Sequence, residues 1–318
     1  MKFSLNDPLA GLSFPKTNIC DSHTHIWSAD AFDELEKWGH QYGVKRFMGI
    51  AQPDIKKTLE QNGKGHDIIF AFYLPMGAFA DHDANKLIEA VDEAHALEYS
   101  MVKMWFGPRF LDYFKPSNKI KFTISNPEFE PVFTRIEDYD IPIDVHVADP
   151  DIWYQTKYLD HNLYRTKDDA ISEFNAVLER HPSLRTISVH FGSLPESLEQ
   201  LETILKRFPN FHIDTASTKW IIRELGKYRK KSRDFFIRYK KRILFATDIS
   251  AGWDDRPKDY IATRYWAQRL FWETNVQNVE LPFSDADNPT PPTFINGLNL
   301  PQSVLDRFYW QNANEFFK

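Results

Sequence analysis

The sequence predicts an α/β fold of the (β/α)8 barrel class, with long strand-to-helix loops and a C-terminal extension. Short apolar runs rich in Val, Ile and Phe alternate along the 318 residues with longer amphipathic stretches, which is the pattern of parallel strands joined by helices. Eight runs of the first kind and eight stretches of the second occur, and a TIM barrel contains eight of each. The sequence lacks the glycine-rich phosphate turns typical of doubly wound sheets.

The predicted elements follow one another as strand, loop and helix. Strands are assigned to runs in which β-branched and aromatic residues dominate, and helices to longer segments with one apolar side. The strands are predicted near residues 18–27, 44–51, 67–75, 100–106, 141–149, 185–192, 211–217 and 243–250. The helices are predicted at 30–42, 54–62, 83–98, 127–139, 168–180, 195–207, 218–240 and 258–272, with a last helix at 301–317.

Three predicted loops are long, and each follows a strand: 107–126, 149–167 and 250–257. In a barrel, every loop of this kind lies at the C-terminal mouth, where active sites are built. The loops are rich in Trp, Tyr and Phe, so we expect a lid that excludes water and stacks on a flat ligand. The alternative is that these aromatic side chains only complete the core.

The composition is that of a globular chain, with 42% apolar and 26% charged residues. We predict one domain over residues 1–318, with an N-terminal tail at 1–17 and a C-terminal wrap and helix at 276–318. The net charge of −6 argues against broad nucleic-acid binding, and no apolar run approaches the ~20 residues that span a membrane. The single cysteine, Cys20, and the lack of a secretory signal predict a cytoplasmic protein.

Polar residues interrupt four of the apolar strands close to their C-terminal ends. His23 and His25 alternate on the first strand and therefore face one side, while His146, His190 and Asp248 end strands five, six and eight. Burying such groups without a partner is costly. We therefore expect the imidazoles and the carboxylate to meet around a metal ion; the alternative is a set of core histidines without a metal.

The runs DSHTHIW, VHVAD, VHFG and FATD, in this order, resemble the amidohydrolase superfamily, specifically its amidohydrolase-2 branch. The resemblance covers about residues 18–250, and the ending QNANEFF is similar to that of the family. It implies that His23, His25, His146 and Asp248 are metal ligands, with His190 as a catalytic histidine beside them. The branch contains hydrolases, lactonases and non-oxidative decarboxylases.

A nitrogen-rich site favours one divalent ion, with Zn²⁺ expected and Mn²⁺ as the alternative. Asp248 would also act as the general base, and His190 would stabilise developing negative charge. The main hypothesis is hydrolysis of a lactone, ester or amide in a small, cyclic substrate. The alternative is metal-dependent decarboxylation of an aromatic or unsaturated acid, and a non-catalytic barrel that binds a small molecule is a minor alternative. The sequence is compatible with a homo-oligomer as well as with a monomer.

Further residues near the strand ends are candidates for substrate contacts. Lys103 is a carboxylated bridge between two metals, a substrate-contacting or buried paired ammonium, or a structural residue. Arg109 is either a carboxylate anchor or an ordinary surface arginine, and Asp214 is expected to hold His190 or the substrate, or to be structural. The complete set of candidates is Lys103, Trp105, Arg109, Trp153, Asp214 and Trp253.

Overall fold

The computed structural model describes residues 2–114, 122–253 and 256–318, so parts of two predicted loops, 115–121 and 254–255, lie outside the described residues. Strands alternate with helices along the chain, as predicted. The strands β1 to β11 are Ile19–Ile26, Val44–Ile50, Ile68–Tyr73, Met101–Trp105, Ile143–His146, Thr186–Ser188, Phe211–Asp214, Ile243–Leu244, Ile249–Ala251, Val279–Glu280 and Phe294–Ile295.

The longer helices lie between these strands at about the predicted positions, and short helices occupy the loops. None of the described helices combines the length and apolarity needed to cross a membrane. The longer helices are Ala29–Gln41, Pro53–Gln61, Ala84–Ala96, Glu130–Asp138, Lys167–Arg180, Leu198–Arg207, Thr218–Lys227, Arg229–Arg238 and Tyr260–Glu273. The shorter ones include Met76–Ala80, Phe110–Tyr113, Asp151–Thr156, His161–Tyr164, Gln302–Asp306 and Asn312–Phe316.

The chain forms two compact units. The first unit consists of the described residues up to Phe70 together with those from Asp214 onward. In this unit β1 pairs in parallel with β2 and with β9. Between β8 and β9, the N–H of Asp248 donates to the carbonyl oxygen of His23 at 3.0 Å. The loop that carries Asp248 is therefore bonded to β1 although it is not itself a strand.

The predicted strand 243–250 is thus wrong in its middle part, where the chain leaves the sheet between β8 and β9. The N–H of Phe245 donates to the carbonyl oxygen of Phe308 in the C-terminal segment. Asp248 has a φ of +60°, a left-handed conformation that aspartate tolerates better than most residues. Both features end regular strand geometry just before β9.

The core of the first unit is built around the helix Tyr260–Glu273. Trp266, Phe271 and Trp272 are fully buried, so these late aromatic residues are core residues. The indole of Trp266 donates to the carbonyl oxygen of Ala10 at 2.9 Å, which ties the N-terminal tail to this helix.

The second unit runs from Ala71 to Ile213. Within it each strand from β3 to β6 pairs in parallel with the next strand along the chain. The register places Lys103 beside Asp144 and Trp105 beside His146. Candidate site residues on β4 thus lie directly beside polar residues on β5.

Two further boundaries differ from the predictions. The predicted strand 185–192 stops at Ser188, because the residues from His190 to Ser193 all have positive φ angles near 60° and cannot continue a strand. The predicted helix 218–240 is two helices that meet at Tyr228, where φ and ψ are −129° and 57°. In both places tertiary packing overrides the local sequence pattern.

Candidate metal centre

Three donor side chains of the first unit converge near the carboxyl end of β1. Nε2 of His23 and Nε2 of His25 each lie 3.5 Å from Oδ1 of Asp248. One ligand atom of each residue lies within 4.8 Å of the other two. The side chain of His23 is 1% exposed, whereas those of His25 and Asp248 are 17% and 31% exposed. The cluster is therefore accessible to a ligand from the side of His25 and Asp248.

The spacing of these atoms fits the ligands of a small divalent cation. Nitrogen and oxygen ligands lie about 2.0–2.2 Å from Zn²⁺ at tetrahedral angles, which places neighbouring donor atoms about 3.4 Å apart. The two separations of 3.5 Å agree with this value. Two imidazoles and one carboxylate are also a donor set that Zn²⁺ and Mn²⁺ accept.

Hydrogen bonds to a buried carboxylate hold the loop of Asp248 against β1. Asp21 accepts from the N–H of Thr247 at 3.0 Å, from its hydroxyl at 2.6 Å, and from the hydroxyl of Tyr265 at 2.9 Å. Burial raises the pKa of Asp21 to about 7, although these hydrogen bonds oppose the shift. Thr247 is the residue before Asp248, and Asp21 lies two residues before His23 on β1. The hydrogen bonds of Asp21 therefore hold Asp248 next to His23.

Asp214 faces the nitrogen of His23 that does not point to Asp248. Its Oδ2 lies 3.4 Å from Nδ1 of His23, and Asp214 is fully buried. A carboxylate at this distance favours the tautomer with its proton on Nδ1, which leaves the lone pair of Nε2 on the side of Asp248. Asp214 is thus placed to orient His23.

A second group of polar side chains lies in the second unit. Nε2 of His190 is 3.2 Å from Nδ1 of His146, and Nε2 of His146 is 3.1 Å from Oδ1 of Asp149. The hydroxyl of Tyr158 donates to Oδ2 of the same carboxylate at 2.8 Å. His146 therefore lies between a second imidazole and a carboxylate that is itself held in place.

The chain positions His190 through a turn of unusual conformation. His190, Phe191, Gly192 and Ser193 all have φ near +60°, and for residues other than glycine this conformation costs roughly 1–2 kcal/mol each. The hydroxyl of Ser193 accepts from the N–H of Ala148 at 3.1 Å. This bond ties the turn of His190 to the loop that follows His146, and strained backbone held in this way is common at functional sites.

Gly107 allows two rings of the second unit to approach the backbone closely. A Cβ atom at this position would lie 2.8 Å from Nε1 of Trp105 and 3.0 Å from Nε2 of His146. Any larger residue would have to displace one of these rings. The glycine is therefore required by the packing around His146.

Lys103 is a buried, paired ammonium. Its Nζ lies 3.3 Å from Oδ1 of Asp144, and the side chains are 4% and 0% exposed. Of the three predicted roles, this arrangement corresponds to the buried paired ammonium, in an ion pair between neighbouring strands.

Arg109 lies over aromatic rings of the second unit. Its guanidinium carbon is 5.6 Å from the ring centre of Tyr113 and 5.7 Å from that of Trp153. The Nζ atom of Lys157 also lies over Trp153, at 3.6 Å. Arg109 is exposed and has no ion-pair partner among residues 2–114, 122–253 and 256–318. Trp105 contacts the rings of Tyr113 and His146.

An aromatic wall lies beside the cluster of the first unit. The ring of Trp27 stacks on that of His25 with centres 5.6 Å apart and planes within 7°. The indole N–H of Trp27 donates to the hydroxyl of Ser250 at 2.6 Å. The ring of Trp253 packs edge-on against the ring of Trp27, with centres 5.6 Å apart. Trp27 and Trp253 are 40% and 57% exposed, so they present apolar surface next to His25.

Sequence reasoning missed several residues of these two groups. Asp149 lies three residues after His146 in the run VHVAD, and Trp27 lies two residues after His25 in DSHTHIW. Their closeness in sequence to the predicted ligands was the signal that could have identified both residues. The roles of Thr247 and Tyr265 depend on contacts with Asp21, more than 220 residues away in the chain. No local pattern predicts such contacts.

The sequence model of the family described as "Amidohydrolase" (Amidohydro_2) matches residues 25–318. The chain belongs to the amidohydrolase-2 family. The resemblance drawn from the histidine motifs is confirmed by this match. No curated protein matches the sequence of this family member.

Solved structures similar to this amidohydrolase-2 member include three with nearly full coverage. The 5-carboxyvanillate decarboxylase LigW from Sphingomonas paucimobilis has a TM-score of 0.55 at 11% identity, over 95% of this chain and 99% of that one. An uncharacterised TIM-barrel protein from Bordetella bronchiseptica has a TM-score of 0.55 at 10% identity, over 94% and 98%. The 5-carboxyvanillate decarboxylase from Novosphingobium aromaticivorans, complexed with manganese and 4-hydroxy-3-methoxy-5-nitrobenzoic acid, has 0.51 at 12%, over 95% and 96%.

At these identities the similarity concerns the fold, and the predicted (β/α)8 TIM-barrel class is confirmed. The family is metal-dependent, and the spacing of His23, His25 and Asp248 fits a divalent cation. This member is therefore an enzyme of the amidohydrolase superfamily with a divalent metal as its cofactor.

Proposed function

We propose that this chain is a metal-dependent hydrolase that cleaves the C–O or C–N bond of a small, cyclic lactone, ester or amide. The observation that carries the proposal is the convergence of Nε2 of His23, Nε2 of His25 and Oδ1 of Asp248 at 3.5 Å separations. Hydrolysis uses these groups and needs no further residue type beyond those present.

His23, His25, His146 and Asp248 would hold one divalent cation, with Zn²⁺ favoured over Mn²⁺ by the nitrogen donors. His146 is included because its motif follows the family order and because Asp149 orients its ring as expected for a ligand. When bound, such a cation lowers the pKa of water towards 7 and so supplies a nucleophile at neutral pH.

The protein side chains would carry the proton and the developing charge. Asp248 takes the proton of the attacking water as general base and returns it to the leaving oxygen or nitrogen. His190 donates a hydrogen bond to the carbonyl oxygen of the substrate, which gains negative charge as the water attacks. The aromatic wall of Trp27 and Trp253 contacts the flat face of the substrate and excludes water from that side.

Decarboxylation of an aromatic acid is the second candidate, and Arg109 is the observation that favours it. An exposed guanidinium held over the rings of Tyr113 and Trp153 is prepared to bind a carboxylate with two hydrogen bonds. Trp105 and Trp153 would then form walls for the ring of the acid. In this reaction the residues of the metal site would hold a cation that polarises the acid, and a proton would replace the carboxylate on the ring carbon as the C–C bond breaks and CO₂ leaves.

A paired assay separates the two candidates. Purified, metal-loaded protein is incubated with lactones, esters and amides in one series and with carboxylated aromatic acids in the other, and acid release and CO₂ release are measured. We expect acid release from the first series, and none after removal of the metal with a chelator. Release of CO₂ from the second series without acid release from the first would replace the hydrolase proposal by the decarboxylase.

Asp149→Asn is expected to weaken metal binding about 10- to 100-fold, the usual effect of removing a carboxylate that orients a histidine ligand. The affinity is measured by calorimetric titration of Zn²⁺ into metal-free protein. Asp151→Asn is the matched control, because this carboxylate lies in the same loop but pairs with Lys167 at 2.6 Å. An unchanged affinity in Asp149→Asn would remove His146 from the proposed ligand set.

A further inference from the structure

Arg264 is held between two aromatic rings in the first unit. Its guanidinium carbon lies 3.8 Å from the ring centre of Tyr260 and 4.2 Å from that of Phe283. Tyr260 begins the helix that carries Arg264, and Phe283 belongs to the C-terminal segment. Contacts with both rings fix the plane of the guanidinium, so little side-chain entropy remains to be lost when it binds a ligand.

Nη1 of Arg264 makes two hydrogen bonds within its own helix. Nη1 donates to the carbonyl oxygen of Tyr260 at 3.1 Å and to the hydroxyl of Thr263 at 3.2 Å. Among the described residues, no carboxylate lies within ion-pair distance of the guanidinium. The edge formed by Nε and Nη2 presents two parallel N–H groups, which is the geometry that matches a carboxylate.

A second cation lies close to the first. The guanidinium carbon of Arg256, an exposed residue, is 4.7 Å from the same Tyr260 ring. Burial, assisted by the charge of Arg256, lowers the pKa of Arg264 to about 10, and Tyr260 and Asp259 offset this only in part. Two neighbouring positive charges are unfavourable in a partly buried position, and a bound anion would reduce both the burial cost and the repulsion.

These arginines lie next to the end of β9, two residues beyond Asp248. The N–H of Ser250 donates to the hydroxyl of Tyr260 at 3.3 Å. In the pairing of β1 with β9, Ser250 is the register partner of His25. Tyr260, whose ring lies under both arginines, is thus hydrogen-bonded to the residue that pairs with His25, a candidate metal ligand.

We propose that Arg264 and Arg256, with the Tyr260 ring as support, form an anion-binding site that holds the carboxylate of the substrate. The site deepens the proposed function and depends on it only for the source of the anion. It implies that the preferred substrate carries a carboxylate apart from the bond that is cleaved, and it supplies a recognition group in the first unit that is distinct from Arg109.

Binding of benzoate and of inorganic phosphate to the metal-free protein tests the site without reference to activity. By titration calorimetry, we expect Arg264→Gln to weaken benzoate binding about tenfold or more, as for loss of a bidentate charged pair. Arg256→Gln, at an exposed position that does not endanger folding, should weaken it about two- to fivefold. Lys230→Gln is the control, because it also removes one charge but from a side chain that is 92% exposed.

Equal benzoate binding by the wild type and both arginine variants would overturn the proposal, and so would an absence of binding by the wild type. If phosphate binds through Arg264 and benzoate does not, the assignment to a substrate carboxylate is wrong.

The source of the anion is tested by kinetics with a carboxylated ester and its neutral analogue. Arg264→Gln should raise KM for the carboxylated ester about tenfold and leave the neutral ester unchanged, with kcat similar for both. Equal effects on both esters would contradict a carboxylate contact. If the wild type hydrolyses neither ester, the hydrolase proposal fails, while the benzoate titration still decides whether the site exists.

Discussion

Purified His23→Ala protein is expected to contain no stoichiometric metal and to lose activity by roughly 10³-fold or more, because no cation would remain to activate water. Nε2 of His23 faces Asp248, and its Nδ1 faces the buried Asp214. Alanine removes a donor atom and also leaves Asp214 without the ring that it orients. Metal content is measured by mass spectrometry after dialysis, together with turnover.

The control for this variant is His66→Ala. It removes an imidazole that is 74% exposed and that contacts the carbonyl oxygen of Gly63 in a surface turn. His25→Ala serves as a second variant at a less buried position, in case His23→Ala does not fold. Circular dichroism shows whether each variant is folded. Retention of one equivalent of metal by folded His23→Ala protein would contradict the ligand assignment.

Asp248→Asn is expected to keep metal, with reduced affinity, and to lose about 10²- to 10⁴-fold in kcat, the range for removal of a general base. The amide preserves the size of the side chain and one oxygen donor, but it cannot take a proton at neutral pH. Its effect should therefore differ in kind from that of His23→Ala: metal stays and turnover falls. Metal content and kcat are measured on the same preparation.

Asp33→Asn is the matched control for this substitution, because its carboxylate is 65% exposed and pairs with Lys64. A kcat within about threefold of the wild type in metal-loaded Asp248→Asn protein would assign proton transfer to another group.

The fold class and the positions of most elements could be predicted from hydrophobic periodicity, because parallel strands and amphipathic helices each have a clear spacing. The alternation along β1 was enough to put His23 and His25 on one side of the strand, and both face Asp248 in the structure. For these residues the local geometry of a strand determines the direction of the side chain.

Other features depend on contacts between distant parts of the chain. His190 lies in a left-handed turn that the apolar run around it does not predict. The N–H of Ala148, in the loop after His146, donates to the hydroxyl of Ser193 and holds that turn in place. Arg264 is fixed by Phe283, which comes from the segment that follows its helix. Sequence reasoning cannot predict these features, because propensities and spacing describe only neighbours along one element.

The ion pair between Lys103 and Asp144 has a consequence for metal stoichiometry. A lysine can bridge two cations only after its amine attacks CO₂ to form a carbamate, and an ammonium has no lone pair for this attack. With Asp144 at 3.3 Å and water excluded from both side chains, the charged amine is already neutralised by its neighbour. Carbamate formation would place a second negative group beside the Asp144 carboxylate, so the pair favours a mononuclear centre.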